Sequence, residues 1–306
     1  MERNKMKNRL KDNIYGVIFS CPWLIGFIIF TIYPILLSLY YSFTDFNIFQ
    51  PPNWVGMKNY IDLFHDENFY KSIWNTTYIT ILGVPLSIIS GLLMAILVNN
   101  KVKGQSFFRT IYFIPSIIPI VASSILWMWL FNAKNGLINV ILKSLHLYQP
   151  GWLVDAAWTK ISLIIIGIWG SGMIMVVFLA ALQDVPKNLY EAAEIDGANG
   201  LQKFFYITLP SISPVIFFEV IIGIIASLQY FTQAYVILST DSYTGANGGP
   251  ENSMLFYTIS LYYNAFQYLK MGKASAMAWI LFIIACVITW GVFRSSNKWV
   301  FYGRGE

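Results

Sequence analysis

Residues 274–293 read ASAMAWILFIIACVITWGVF, a run of 20 residues that contains no Asp, Glu, Lys or Arg and is flanked by Lys273 and Arg294. A helix needs about 20 apolar residues to cross the hydrocarbon core of a bilayer. Because backbone polar groups in hydrocarbon must bond within their own segment, a run of this length predicts a helix. The stretch therefore predicts a membrane span.

Further runs of the same kind occupy most of the chain. Four of them contain no charged residue: 13–44, 72–100, 110–133 and 161–183. A fifth, 210–238, is interrupted only by Glu219. Six runs predict an all-α integral membrane protein in which residues 1–306 form a single transmembrane domain with six helices.

Composition points to lipid rather than water as the solvent. Hydrophobic residues make up 57% of the chain and charged residues only 11%, whereas soluble domains carry about 25% charged residues. The net charge of +5 does not indicate nucleic-acid binding, because the basic residues cluster at the ends of the apolar runs. Cys21 and Cys286 both lie in apolar stretches, so we expect small buried side chains and no disulfide framework.

The basic residues also predict the orientation. If the N-terminus is cytoplasmic, 13 of the 20 Lys and Arg residues fall in inside segments and seven fall outside. Cytoplasmic loops carry the excess of positive charge. Both termini are therefore predicted in the cytoplasm, with segments 45–71, 134–160 and 239–273 outside. The first run is too long for the apolar part of a cleaved signal peptide.

The sequence offers no catalytic residues and no cofactor or metal site. Gly272-Lys273 is followed by Ala274, and the glycine that a phosphate-binding loop needs five positions earlier is absent. His65 and His146 are scattered, which is not the spacing of a metal site. The prediction is a non-enzymatic chain, and any energy for transport must come from another subunit.

Segment 184–209 is the one polar loop with helix signals of its own. It reads DVPKNLYEAAEIDGANGLQKFFYITL and lies on the cytoplasmic side of the predicted topology. Asp184 is predicted to cap a first helix, and Gly197 suits a left-handed C-terminal position. Asn199 is predicted to cap a second short helix, which Pro210 follows. The residues alone fit either an ordinary amphipathic surface helix or a docking element.

This loop resembles the EAA loop of binding-protein-dependent ABC importer permeases. The resemblance is carried by seven positions: Glu191, Ala192, Ala193, Gly197, Ile207, Leu209 and Pro210. It implies a coupling helix that docks on a separate ATPase subunit. ATP and magnesium would be bound by that ATPase, and its closing motion would pass through the loop to the membrane helices.

Weaker similarities point to the carbohydrate branch of the family, and specifically to the maltose-type first permease. They are Pro22-Trp23-Leu24-Ile25-Gly26-Phe27, Pro34, Phe43-Thr44-Asp45, Trp54-Val55-Gly56 with Asn59-Tyr60, and Gly249-Pro250 with Asn252-Ser253. The resemblance implies a bacterial inner-membrane protein, a second permease subunit, ATPase subunits, an external solute-binding protein and a sugar cargo. The chain lacks the extra N-terminal spans and large external insert of the maltose protein, so maltose itself is not expected.

In this family the sugar cavity lies between the spans that flank the coupling loop. Polar and aromatic residues there are Trp169, Ser171, Ser227, Gln229, Tyr230, Thr232 and Gln233. Gln229, Thr232 and Gln233 are predicted to share one helix face, because they are spaced i, i+3, i+4. Such residues also bond packed membrane helices together, so a purely structural role stays open for each.

Glu219 is the one acid inside a predicted span, about nine residues beyond Pro210. Intramembrane carboxyls often have a function, so Glu219 is predicted either to line the cavity or mark a cation path, or to sit at the interface with a second permease. A cation path would suit an ion-coupled secondary transporter, although no internal repeat of that class is visible. An ABC permease for another polar solute, such as glycerol phosphate, is a third possibility, but a phosphate calls for Arg or Lys in the spans.

Overall fold

The computed structural model describes residue 17 and residues 19–100, 104–240 and 248–301. The orientation prediction rests partly on the basic segment 3–11, Lys101, Lys103 and Arg304, which lie outside the described residues. Residues 241–247, near the start of the predicted external segment 239–273, also lie outside the described residues.

The described residues are mainly helical, with two isolated β-bridges that join Thr44 to Trp54 and Asn47 to Gln50. In chain order the helices are α1 (Phe19–Ser42), α2 (Lys58–Phe64), α3 (Glu67–Asn99), α4 (Gln105–Ile117), α5 (Ile120–Leu130), α6 (Leu137–Ser144), α7 (Ala156–Trp169), α8 (Gly172–Asp184), α9 (Lys187–Ile195), α10 (200–211), α11 (Ser213–Leu228), α12 (Thr232–Thr240), α13 (Tyr257–Tyr262) and α14 (Met271–Ser296). The all-α class is confirmed for this part of the chain.

Four helical segments in the described part are long and apolar enough to cross a membrane: α1, α3, α11 with α12, and α14. Two bent helix pairs also meet these criteria when each pair is taken together, namely α4 with α5 and α7 with α8. The structure thus offers four spans by length and composition, or up to six if each pair is one span.

The run 110–133, predicted as one continuous span, is broken. Helices α4 and α5 meet at an angle of 100°. The break falls at Ile118, which is extended (φ −67°, ψ 128°) and precedes Pro119, the residue before α5. The proline ring disfavours the helical conformation in the residue before it, which explains the break. The run 161–183 bends by 46° between α7 and α8.

Three of the prolines inside helices of the described part lie where the helix continues past a widened turn. A π-helical turn ends two residues before each proline: Ile28–Ile32 before Pro34, Ile79–Gly83 before Pro85, and Phe204–Thr208 before Pro210. A proline lacks the N–H that would bond the preceding turn, and its ring crowds the carbonyl four residues back. A wider π turn moves that carbonyl away, so the helix continues.

The chain divides into two compact units, residues 66–261 with 281–306 and residues 1–65 with 262–280. The larger unit has its core between α3 and α8, where Ala95, Met175 and Phe178 are fully buried. Val185 and Ile212 extend this core to both ends of segment 186–211.

In the smaller unit, hydrogen bonds tie the chain that follows α1 to α2 and to the start of α14. Asn59 Nδ2 donates to the carbonyls of Ser42 (2.9 Å) and Thr44 (2.8 Å), and the Gly272 N–H donates to the Phe46 carbonyl (3.0 Å). The polar segment after the first span is thus fixed by hydrogen bonds that its backbone carbonyls accept.

Candidate functional site

Segment 184–209 begins differently from the prediction. Asp184 is the last residue of α8, and α9 starts at Lys187 with Pro186 in the N-cap position and no side-chain cap. The prediction that Asp184 caps this helix is therefore wrong. The apolar run of α8 continues helically through Asp184 before Pro186 interrupts it, since proline supplies no N–H to extend the helix.

Gly197 ends α9 as the sequence predicts. Its φ is +76°, in the left-handed region. The Ala198 N–H donates to the Ala193 carbonyl (2.9 Å), and the Gly197 N–H donates to the Glu194 carbonyl (3.1 Å). These two bonds form a Schellman cap. An added Cβ at Gly197 would meet no atom within 4 Å, so glycine is favoured by the backbone angle and not by crowding.

Asn199 caps the second helix through a capping box. Its side chain accepts from the Gln202 N–H (2.9 Å), while Gln202 Oε1 accepts from the Asn199 N–H (2.8 Å). The predicted cap is confirmed. The end of the helix is not, because the chain stays helical through Pro210 as α10, with the π turn Phe204–Thr208 in the middle.

Two side-chain contacts join α9 to α10. Lys203 Nζ lies 2.7 Å from Glu194 Oε1, and its hydrogen bond holds the pKa of that exposed carboxyl below its usual range. The Tyr190 hydroxyl lies 2.8 Å from Thr208 Oγ1, in the π turn. Tyr190 also packs on the core of the larger unit. The two helices are therefore linked at two points and connected to the membrane helices.

The seven motif positions divide between the core and the surface. Ile207 packs on the core, and Leu209 and Pro210 are half-buried. Glu191, Ala192 and Gly197 are exposed, and Ala193 is half-buried. Near them, Ile195 is 88% exposed and Leu201 is 72% exposed. Such apolar side chains, left open beside small and charged residues, suit contact with another protein.

A cavity of about 520 Å³ lies among α3, α7, α8 and α11. Of the seven predicted cavity residues, Ser227 and Tyr230 line it. The Ser227 hydroxyl contacts the Ile224 carbonyl (2.8 Å) and Thr80 Oγ1 (2.9 Å), while the Tyr230 hydroxyl donates to Gln233 Oε1 (2.6 Å). Both hydroxyls are thus held in place by neighbouring helices.

The structure does not bring the other five predicted residues to this cavity. Trp169 packs edge-on against Trp127 with ring centroids 5.5 Å apart, and Ser171 is buried with its hydroxyl donating to the Ile168 carbonyl (2.7 Å). The remaining three do not share one face. Helix α11 ends at Leu228, so Gln229 and Thr232 are exposed and Gln233 is buried.

Glu219 lies on α11 and lines the cavity. The residue is 8% exposed, and no described residue forms a hydrogen bond or an ion pair with its carboxyl group. The structure places Glu219 with Ser227 and Tyr230 around one space.

Ser87, on α3, also lines the cavity and was not among the predicted residues. Thr80, which contacts Ser227, also lies on α3, in the π turn Ile79–Gly83. Hydroxyl residues in an apolar run were the available signal. The prediction missed it because it considered only the spans beside the loop.

Comparison with known families gives one match that covers most of the chain. The model described as "Binding-protein-dependent transport system inner membrane component" matches residues 83–300. The matched range includes the described cavity-lining residues except Ile79, and the whole of segment 184–209.

Curated relatives extend over almost the full length. The probable ABC transporter permease protein YesP of Bacillus subtilis (strain 168) is 38% identical over 99% of this chain and 96% of its own. The lactose transport system permease protein LacF of Rhizobium radiobacter is 31% identical over 94% of this chain and 95% of its own. The arabinooligosaccharides transport system permease protein AraP of B. subtilis is 32% identical over 94% and 90%, respectively.

Two solved structures share the fold. One chain of a bacterial alginate ABC transporter in complex with an alginate pentasaccharide-bound periplasmic protein has a TM-score of 0.81 and 23% identity, over 95% of this chain and 96% of its own. A chain of a bacterial ABC transporter involved in the import of the acidic polysaccharide alginate has a TM-score of 0.76 and 25% identity, over 96% and 99%.

Proposed function

The chain belongs to the family of binding-protein-dependent transport system inner membrane components, and we propose that it is one permease subunit of an ATP-driven importer of sugars or oligosaccharides. The observation that carries the proposal is the structure of loop 186–211, whose two helices are capped and joined by side-chain contacts. The loop exposes Glu191 and Ala192 on the protein surface, and its Ile207 packs on the core. This arrangement suits a rigid lever between a partner protein and the membrane helices.

The proposed topology has six spans, with each bent pair counted as one, and with both termini in the cytoplasm. An even number of spans puts the two termini on one side, and the bias in Lys and Arg puts that side in the cytoplasm. Helices α9 and α10 are then cytoplasmic, as docking to an ATPase requires. The whole chain acts as one permease domain.

In the proposed mechanism, α9 is the coupling helix and docks in a groove of a separate ATPase, which binds ATP and magnesium. Ile195 and Leu201 bury apolar surface in that contact, and Glu191 supplies charge. Motion of α9 reaches α10 through the Glu194–Lys203 and Tyr190–Thr208 contacts. It reaches α11 and the cavity because Ile212 links the loop to the core.

The cargo class is supported by the names of the relatives, which transport lactose and arabinooligosaccharides. An external solute-binding protein would deliver the cargo, and a second permease would complete the pathway by alternating access. The cavity fits a sugar in chemistry, since mostly apolar walls with a few placed polar groups are typical of small-molecule sites. No Lys or Arg is among the described residues that line it, which argues against glycerol phosphate.

Substitutions in the loop test the proposal. Glu191→Ala and Gly197→Asp are expected to reduce ATP-dependent uptake strongly while the chain still inserts, because docking and the left-handed cap are lost. Gly200→Ala is the matched control, since Gly200 also has no atom within 4 Å of an added Cβ but lacks a positive φ. Uptake is measured in proteoliposomes with the complete importer. Normal uptake in both loop variants would contradict the proposed coupling role.

Purification of the tagged chain from its native membrane tests the assembly. The expected companions are a second permease and an ATPase with a phosphate-binding loop, identified by mass spectrometry. If the chain instead transports alone in liposomes without ATP, it is an ion-coupled carrier, and a proton dependence that disappears in Glu219→Gln would identify its titrating group.

A further inference from the structure

Glu219 stands out in the cavity because its carboxyl group is not engaged with the protein. The residue is 8% exposed and faces the space among α3, α7, α8 and α11. Neither a hydrogen bond nor an ion pair to it occurs among the described residues. The carboxyl group borders the cavity and is therefore free to bind something that enters it.

Most other polar groups around the cavity already form hydrogen bonds within the protein. The Tyr230 hydroxyl donates to Gln233, and the Ser227 hydroxyl contacts Thr80 and the Ile224 carbonyl. Ser87 makes no hydrogen bond to any described residue and faces Gly167, where an added Cβ would lie 3.6 Å from its hydroxyl oxygen. Glu219 and Ser87 are thus the two polar side chains left for a ligand.

The walls of the cavity limit what can bind there. Most are aliphatic, from residues such as Ile79, Val84 and Ile174, and the described lining includes no Lys, Arg or His. A carboxyl oxygen accepts hydrogen bonds from neighbouring hydroxyl donors. A negatively charged cargo group would find no cation among the described residues that line the cavity.

We infer that Glu219 is a cargo contact of the proposed importer, and that it accepts hydrogen bonds from the hydroxyls of an uncharged sugar ring placed in this cavity. Ser87 is positioned to hydrogen-bond the same ring. The aliphatic walls cover its apolar faces. An acidic ring, such as a uronate, is excluded from this position. The inference rests on the proposed function and specifies the chemistry of its substrate.

The test compares neutral and acidic sugars in the complete importer, reconstituted in proteoliposomes with internal ATP and saturating binding protein. The probes are lactose, arabinotriose and maltotriose as neutral sugars and trigalacturonate as the acidic one. Initial uptake rates are measured for the native chain and for Glu219→Gln, Glu219→Leu and Glu219→Lys. Each neutral-to-acidic ratio is divided by the native ratio, which removes the selectivity of the binding protein.

Native uptake is expected to favour a neutral probe. Glu219→Gln keeps a hydrogen-bonding amide and should lose less than about tenfold of neutral uptake, whereas Glu219→Leu removes all hydrogen bonds and should lose more than about tenfold. Glu219→Lys should lower the neutral-to-acidic ratio by at least about tenfold, because the cavity then offers a cation. Glu67→Gln removes an exposed acid outside the cavity and should leave the ratio unchanged.

Three results overturn the inference: native uptake of trigalacturonate alone, an unchanged ratio in Glu219→Lys, or full neutral uptake in Glu219→Leu. A variant that does not assemble leaves the native ratio and the remaining variants as the test. If no probe is taken up in an ATP-dependent manner by the native chain, the proposed importer function fails, and this result is distinct from a failure of the role of Glu219.

Discussion

Gly172 illustrates how single residues set the packing of the membrane helices. It opens α8, and a Cβ at this position would collide with the Tyr112 carbonyl oxygen and approach Phe113 Cα to 3.0 Å. Both obstacles are backbone atoms of α4, which cannot rotate away as a side chain can. Small residues at such points let membrane helices approach closely.

Gly172→Ala is therefore expected to destabilise the protein by about 1–3 kcal/mol, the usual cost of overpacking. The measurement is the thermal unfolding temperature in detergent. Gly291→Ala is the control, because a Cβ at Gly291 in α14 would meet no atom within 4 Å and alanine favours the helix. Equal melting temperatures for the two variants would show that α4 and α8 are not packed at Gly172 as described.

Among the helix ends of segment 184–209, prediction from the sequence worked at Gly197 and Asn199 and failed at Asp184, because α8 continues through Asp184. The left-handed Gly197 and the Asn199 cap depend on a few neighbouring residues, and the structure shows both. The prediction of the seven cavity residues worked less well. Whether Gln229 or Ser87 lines the cavity depends on where α11 ends and on which helices pack around the cavity. These facts arise from tertiary contacts that the spacing of residues in one span does not contain.

At the scale of elements, the Tyr190–Thr208 hydrogen bond joins α9 to the π turn of α10. The bond length is 2.8 Å, and Thr208 Oγ1 also contacts the Lys203 carbonyl at 3.3 Å, inside that turn. In a π turn the backbone hydrogen bonds join residues five apart instead of four, so the Lys203 carbonyl lacks the bond geometry of an α-helix. The Tyr190 hydroxyl thus joins α9 to the irregular turn of α10.

Tyr190→Phe retains the ring on the core and removes only the hydrogen bond. We expect ATP-dependent uptake to fall several-fold while ATP hydrolysis continues, because a lost bond worth about 1 kcal/mol loosens the lever without unfolding it. The ratio of sugar transported to ATP hydrolysed is the measurement. Tyr206→Phe is the matched control, since Tyr206 lies on α10, the helix that carries Thr208, and is 81% exposed. An equal ratio in both variants would contradict the role of Tyr190.

The prolines show what apolar runs alone do not predict about elements. Absence of charge identified 110–133 as a span, but Ile118 before Pro119 turns the chain by 100°. Pro34, Pro85 and Pro210 instead follow π turns within continuous helices. A proline in an apolar run therefore marks an irregularity, whereas the packing around it determines whether the helix widens or breaks.

At the scale of the whole molecule, the all-α membrane class followed from composition and run length, because lipid permits few other backbone arrangements. The orientation followed from charge and stays a prediction, since many of the decisive basic residues lie outside the described part of the chain. Two exposed positions offer a direct test: Phe49, 79% exposed after α1, and Ile195, 88% exposed on α9. The proposed topology puts them on opposite sides of the membrane.

Cysteines introduced at these two positions can be labelled to show on which side of the membrane each position lies. Phe49→Cys and Ile195→Cys are made separately in a chain that carries Cys21→Ser and Cys286→Ser, which removes both natural cysteines. In intact spheroplasts a membrane-impermeant maleimide should label Phe49→Cys, and it should label Ile195→Cys only after permeabilisation. Added ATPase should then protect Ile195→Cys but not Phe49→Cys, because α9 is the proposed docking surface. Labelling of Ile195→Cys in intact spheroplasts would place the coupling loop outside and remove the basis for an ATP-driven mechanism.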